Sequence, residues 1–288
     1  MDRQFGAVFK ALRLNRGLKL KDVADDRVIS LPQLSRFERG LTQITIDKLF
    51  FILRKVNIRL EEYLYAVNGY ADNPMDVWFE ILQQNVMKGK IDKLRQELNR
   101  KPFDWETGNT YSLNRLMVTA LISHLDPNES ISDKDLIDLS DYLFNVEFWS
   151  FYEILLLMNT SRILSPDLMI SLTRTMLDRT NFYHEIKKNI EHILRISLNT
   201  CLACLDCRRL NDAAYFMKYI EGMLTNDTQL YERTVFLYIK GYYNVLKHDN
   251  KGFDNMEKAW LIAKYSESEH LARCIHDHLE KVKNNLEF

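Results

Sequence analysis

Residues 20–42 read LKDVADDRVISLPQLSRFERGLT. Ser30, followed three residues later by Gln33, has the form of a capping box, which predicts a helix starting at Ser30. Pro32 falls in its first turn, where a missing N–H costs little. Leu34 and Phe37, three apart, share one helix face and point inward. Gly40 ends the helix. A helix over about 20–26 precedes it and packs through Leu20, Val23 and Ala24. Ala24 supplies the small side chain that a steep helix crossing needs. Two short helices joined by a tight turn make a helix-turn-helix.

Outward from this stretch the apolar residues keep helical spacing. Phe5, Val8, Phe9 and Leu12 form one stripe, with Lys10, Arg13 and Arg16 off it. Helices are predicted over about 45–56 and 60–66. Asn68, Gly69, Asp72, Asn73 and Pro74 then cluster as a linker over 67–74. Beyond it helical stretches fall near 75–87, 89–100, 110–124, 132–145, 147–158, 166–179, 183–206, 209–223, 229–247, 250–265 and 268–285. Connections such as Asp126-Pro127-Asn128 and Ser165-Pro166 are short, so successive helices are antiparallel neighbours. Helix pairs in series predict a solenoid over 75–288, with an irregular bundle as the plainer alternative. Gly241-Tyr242 and the small Ala259 and Ala263 echo a tetratricopeptide unit over 231–265 without matching its consensus.

The composition agrees with an all-α chain. Among 288 residues there are nine glycines and five prolines, too few for the turns of a sandwich or barrel. A hydrophobic fraction of 46% is ample for a core. The net charge of −1 conceals an asymmetry: residues 1–66 hold 13 basic against 8 acidic side chains, and residues 67–288 hold 26 against 32. A basic head on an acidic body suits a nucleic-acid binder. Four cysteines do not make a disulfide framework. The opening residues MDRQFGAVFK have no apolar signal core, and no apolar run is long enough to span a membrane. These features predict a soluble, reduced, cytoplasmic protein with no membrane association.

The spacing of Ala24, Leu34, Phe37, Glu38 and Gly40 resembles the lambda-repressor-like, or XRE-type, helix-turn-helix family across residues 3–66. In that family the second helix of the pair enters the major groove. The resemblance implies that Ser30, Leu31, Pro32, Gln33, Ser35 and Arg36 face double-stranded DNA at a promoter operator. It places Lys19 and Lys21 on phosphates before the first helix of the pair, and Arg39 and Thr42 on the far phosphates. Arg36 suits a guanine and Gln33 an adenine. Leu31 and Pro32 depart from the polar pair common there and suit a thymine methyl. Arg13 and Glu38 occupy positions that pair between helices in the family, so neither is assigned to DNA. Half-sites about one duplex turn apart require a dimer.

The phrase SRFERG at 35–40, a long all-helical body and FYEILLLMN at 151–159 resemble the Rgg/GadR/MutR regulators. The resemblance implies a transcription regulator acting as a homodimer, with a right-handed, tetratricopeptide-like solenoid whose concave face binds a short hydrophobic peptide. Many in that family respond to secreted peptides. An extended peptide is clamped through its backbone, for which Asn is suited because its amide both donates and accepts. Asn159, Asn199 and Asn244 are the candidates, with Arg195 for a peptide carboxylate. Tyr238 and Tyr242, four apart, would line an apolar pocket. Aromatic residues concentrate on the body, among them Trp78, Trp105, Trp149, Trp260, Tyr152, Tyr183 and Tyr243. The alternative is a helix-turn-helix regulator whose body binds a protein partner, as an antitoxin or phage-type regulator does.

Other chemistry finds little support. Cys201, Cys204 and Cys207 read CxxCxxC, but inside a helix and without a local fourth ligand for zinc. His270, Cys274, His276 and His278 lack the HExxH pattern. Asp25-Asp26 and Glu61-Glu62 read as solvated edges. No GxGxxG, P-loop or GxSxG occurs. The expectation is a protein without catalytic residues, cofactor or metal.

Overall fold

The computed structural model describes residues 2–103, 107–180 and 187–286. Trp105, Tyr183 and the predicted helical start at 183–186 lie outside these. Among the described residues no β-strand forms, and one isolated antiparallel bridge joins Asp25 and Ile29. The chain divides into two compact units, residues 1–84 and 85–288. The division falls later than the expected linker at 67–74, which lies within the first unit.

The first unit opens with α1 (Asp2–Asn15), α2 (Leu20–Val23), α3 (Leu31–Glu38), α4 (Ile46–Lys55) and α5 (Leu60–Val67). Phe9, Val23, Ile29, Leu34, Phe37, Ile52 and Tyr63 close its core. α2 ends three residues earlier than predicted, because Asp25 and Ile29 exchange backbone hydrogen bonds of 3.0 and 2.7 Å. The connection to α3 is therefore a closed loop over 24–30 and not a tight turn. Gly6 brings α1 against the end of α3: a Cβ there would sit 1.8 Å from the Phe37 carbonyl oxygen.

α6 (Pro74–Met87) crosses the division. The second unit holds α7 (Ile91–Leu98), α8 (Gly108–Leu125), α9 (Asp133–Asn145) and α10 (Phe151–Thr160), then a 3-10 turn (Ser161–Ile163). α11 (Pro166–Arg179), α12 (Lys187–Asp206), α13 (Leu210–Met223), α14 (Leu230–Leu246), α15 (Gly252–Tyr265) and α16 (Glu269–Leu286) complete it. Side-chain caps fix several starts: Thr107, Ser132 and Ser165 each accept from the backbone N–H three residues on. At Ser150 the carboxylate three residues on supplies the cap, for Glu153 accepts from both the Ser150 N–H and hydroxyl.

Helices α8, α10, α12 and α14 form a row in which each packs on the next. α16 joins the row through a Tyr238–His278 contact of 2.6 Å. The remaining helices of the second unit flank the row, α7 on α8, α11 on α12 and α15 between α14 and α16, as a helical repeat requires. Arg179 donates to the Phe144 and Val146 carbonyls at 2.5 and 2.6 Å, closing the end of α9. Trp149 is fully buried beside it, its indole donating to the Leu143 carbonyl. The echo at 231–265 is the α14–α15 hairpin. Ala259 and Ala263 are buried in it, and a Cβ on Gly241 would meet the Gly252 carbonyl oxygen at 2.5 Å.

Candidate functional site

The outer edge of α3 is built by what holds its inner edge. Leu34 and Phe37 are buried in the core, and Glu38 is buried at the end of the helix. Arg13 grips Glu38 at two points, Nε to Oε1 at 2.6 Å and Nη2 to Oε2 at 2.8 Å, and its third nitrogen donates to the Leu18 carbonyl. These hydrogen bonds hold the Arg13 guanidinium above its usual range, against the opposing effect of burial. With the inner face fixed, Leu31, Pro32 and Arg36 stand exposed on the other side, and Ser35 is half-buried. Lys19, Lys21 and Arg39 are also exposed. Ser30 caps α3, its hydroxyl accepting from the Gln33 N–H at 3.4 Å. Only half of the predicted box forms, because the Gln33 side chain turns away and accepts from Lys48 on α4 at 2.9 Å.

In the second unit the row of helices presents one connected face. On α12 Arg195, Asn199 and Asp206 are exposed at spacings of four and seven, one stripe of a helix. The Arg195 guanidinium lies 5.3 Å from the Tyr231 ring centroid and 3.5 Å from Glu232, both on α14. On α16, His270, Cys274 and His278 recur every four residues, with Cys274 and the His270 imidazole in contact at 3.7 Å. His278 ties three helices together. Its Nδ1 meets the Tyr238 hydroxyl at 2.6 Å on α14, and its Nε2 meets Asp206 of α12 at 3.1 Å. Burial first, and then Asp206, push the Tyr242 phenol up to about 12.

The family of the HTH-type transcriptional regulator Rgg, C-terminal domain, matches residues 93–277, well over half of the chain. The chain belongs to the Rgg family. A helix-turn-helix family matches residues 9–63 of this Rgg-family chain. The chain is similar to the SHP pheromone receptor Rgg2 of Streptococcus dysgalactiae, at 28% identity and a TM-score of 0.85, over 96% of this chain and 99% of that one. A solved protein of Listeria monocytogenes EGD-e shares the fold at 17% identity and a TM-score of 0.85, each chain covered over 100%. The HTH-type transcriptional regulator DdrOP3 of Deinococcus deserti is 38% identical over 63 residues, 22% of this chain. The match spans about half that relative's length, 49%.

Not every residue expected to act in this Rgg-family chain stands where it was expected. Thr42 is half-buried and its hydroxyl oxygen is buried, lining an apolar cavity of about 380 Å³ with Phe37, Ile44 and Tyr63. That placement does not offer the hydroxyl to a phosphate. Asn159 is buried and its amide donates to the Leu155 carbonyl at 2.8 Å. Asn244 is half-buried and, two residues past Tyr242, points about 160° away around α14. Tyr238 and Tyr242 are buried parts of the wall. Arg195 and Asn199 are exposed. Tyr231 was missed, although Tyr231 and Arg195 lie on facing helices. The sequence, with no metal-binding pattern, favours a solvated face for the histidines at 270–278, or a pH-responsive contact through His276 or His278. In the structure His276 stacks on Trp260 at 5.4 Å, and His278 links α12, α14 and α16. Cys201 and Cys204 are buried in the α12 interface, while Cys207 is exposed. Burial, reinforced by neighbouring charge, pushes both buried thiols up to about 12.

Proposed function

We propose that this chain is a homodimeric, sequence-specific regulator that reads a promoter with α3 and is controlled by a short hydrophobic peptide bound to its helical-repeat unit in the cytoplasm. The observation that carries the first half is the exposed edge of α3. Leu31, Pro32 and Arg36 project from a helix whose other face is locked by Leu34, Phe37 and the Arg13–Glu38 pair. Lys19, Lys21 and Arg39 supply positive charge beside that edge, suited to phosphates. Ser30, Gln33 and Ser35 lie at its margin, Gln33 with its amide nitrogen still available to a base. Thr42 has a place at the DNA only if its side chain turns outward.

The peptide half is supported by kinship with a pheromone receptor over nearly the whole chain. The α12–α14 face offers Arg195 and Asn199 as polar clamps and Tyr231 as an aromatic floor. Peptide binding regulates DNA only if the peptide prefers one of two dimer arrangements.

Footprinting the full-length chain on the DNA around its own gene tests the first half. Two protected half-sites about one turn, or roughly 34 Å, apart are expected. Uniform protection, or none at low salt, overturns it. Repeating the assay with peptides encoded by neighbouring small reading frames tests the second. A peptide that shifts operator binding in the wild type and not in Arg195→Ala is expected, and indifference to every such peptide removes the sensing role.

A further inference from the structure

We propose that the cavity between the ends of α12, α14 and α16 is an oxyanion site, and that the anion it takes is the free C-terminal carboxylate of a peptide. The assignment of a peptide rests on the function proposed above; the oxyanion chemistry does not. The cavity measures about 390 Å³ and is lined by Asp206, Arg208, Tyr242, Leu246, His278 and Lys281. That size suits one or two residues of a ligand and not a whole peptide, since small-molecule sites start near 300 Å³.

The charges around it are unbalanced in a telling way. Arg209 is fully engaged, paired with Asp167 and with Asp212 at 2.7 Å. Arg208, its neighbour, has no carboxylate partner among the described residues. It sits at a left-handed turn position, φ 55°, just past the end of α12, and is exposed. On α16 the same contrast recurs. Lys283 pairs with Glu257 at 3.0 Å and Glu280 at 3.6 Å, whereas Lys281 has no such partner among the described residues. Asp206, the one carboxylate in the lining, is turned to His278 at 3.1 Å. His278 is held at its other nitrogen by the Tyr238 hydroxyl. The lining thus holds two cations, Arg208 and Lys281, against one carboxylate, Asp206, in a part of the chain whose overall charge is negative.

An arginine fork binds a carboxylate at two points, and a lysine adds a point charge. The Tyr242 ring and Leu246 give the same cavity an apolar wall for the side chain that carries the carboxylate. Asp206 disfavours a dianion, which separates a carboxylate from a phosphate. The C-terminus of an apolar peptide satisfies all three features.

The test uses the full chain with ¹³C-labelled histidine, its His278 signal assigned as the one absent in His278→Gln. Three probes are titrated: acetyl-Leu-Ile-Leu with a free carboxylate, the same tripeptide as its C-terminal amide, and inorganic phosphate. The acid is expected to shift the His278 signal saturably and the amide at least tenfold more weakly. The Arg208→Gln/Lys281→Gln variant is expected to lose the response with its melting temperature unchanged. Equal responses to acid and amide, or no response to either, overturn the site. Phosphate saturating at lower concentration than the acid overturns the carboxylate assignment. The acid–amide comparison needs no variant, so a folding defect in the double variant does not decide the matter. Operator binding is read separately. Peptide control that persists unchanged in the double variant would sink this site and leave the proposed function standing.

Discussion

Arg13 and Arg36 carry the same guanidinium, but Arg13 is buried in a two-point pair with Glu38 whereas Arg36 stands exposed on the outer edge of α3. Their replacement therefore has different consequences. Arg36→Ala should leave the melting temperature unchanged and weaken operator binding by about 1–3 kcal/mol, relaxing specificity at one base pair. Anisotropy titrations on the operator and on a scrambled duplex measure this, and equal loss on both would make Arg36 a phosphate contact. Glu38→Ala strands a buried cation and should cost about 3–5 kcal/mol of stability, while Arg13→Met with Glu38→Leu should restore most of it. Thermal or urea melts of the single and double variants give that comparison. Gly6→Ala drives a methyl into the Phe37 carbonyl and should destabilise by about 1–3 kcal/mol, read as a lower urea midpoint. The pairing of Arg13 with Glu38 was legible through the family resemblance. The need for Gly at position 6 was not, because a close approach between residues 31 apart leaves no local pattern.

Helices were the most legible level. The cap at Ser30 and the helix starts expected near 132 and 166 are kept by the structure, where Ser132 and Ser165 supply the caps. The misreadings have local causes. α2 was extended to 26 because Asp25 and Asp26 fit a helical pattern, yet a backbone bridge to Ile29 ends it sooner. Gln33 was read as a cap partner because sequence spacing cannot show that Lys48 is nearer. The burial of Asn159 was not visible, because sequence shows a residue's type and helix but not its depth. The cysteine cluster yields a prediction for α12 as a packed element. Iodoacetamide at pH 8 should modify Cys207 and Cys274 quickly and leave Cys201 and Cys204 intact in the native chain, since both are buried with thiols pushed up to about 12. Mass spectrometry of the peptides distinguishes the sites. Rapid labelling of Cys201 would contradict its packing against the Ala213 carbonyl on α13.

At the scale of the whole molecule the charge asymmetry has a measurable effect. The first 66 residues are basic and the remainder acidic, so phosphate contacts must come from the head. Log affinity for the operator should fall linearly with log salt, and Lys19→Gln/Lys21→Gln should flatten the slope by about 2. An unchanged slope would remove both lysines from the interface. The division of labour was legible in this asymmetry, whereas the convergence of α12, α14 and α16 on His278 was not, since Asp206 and His278 are 72 residues apart. One further feature governs how the second unit packs. Gly241 and Gly252 bring two backbones together with no side chain between them, so the hairpin they join has no slack. A methyl group at either glycine would therefore be expected to force α14 and α15 apart and lower the stability of the second unit.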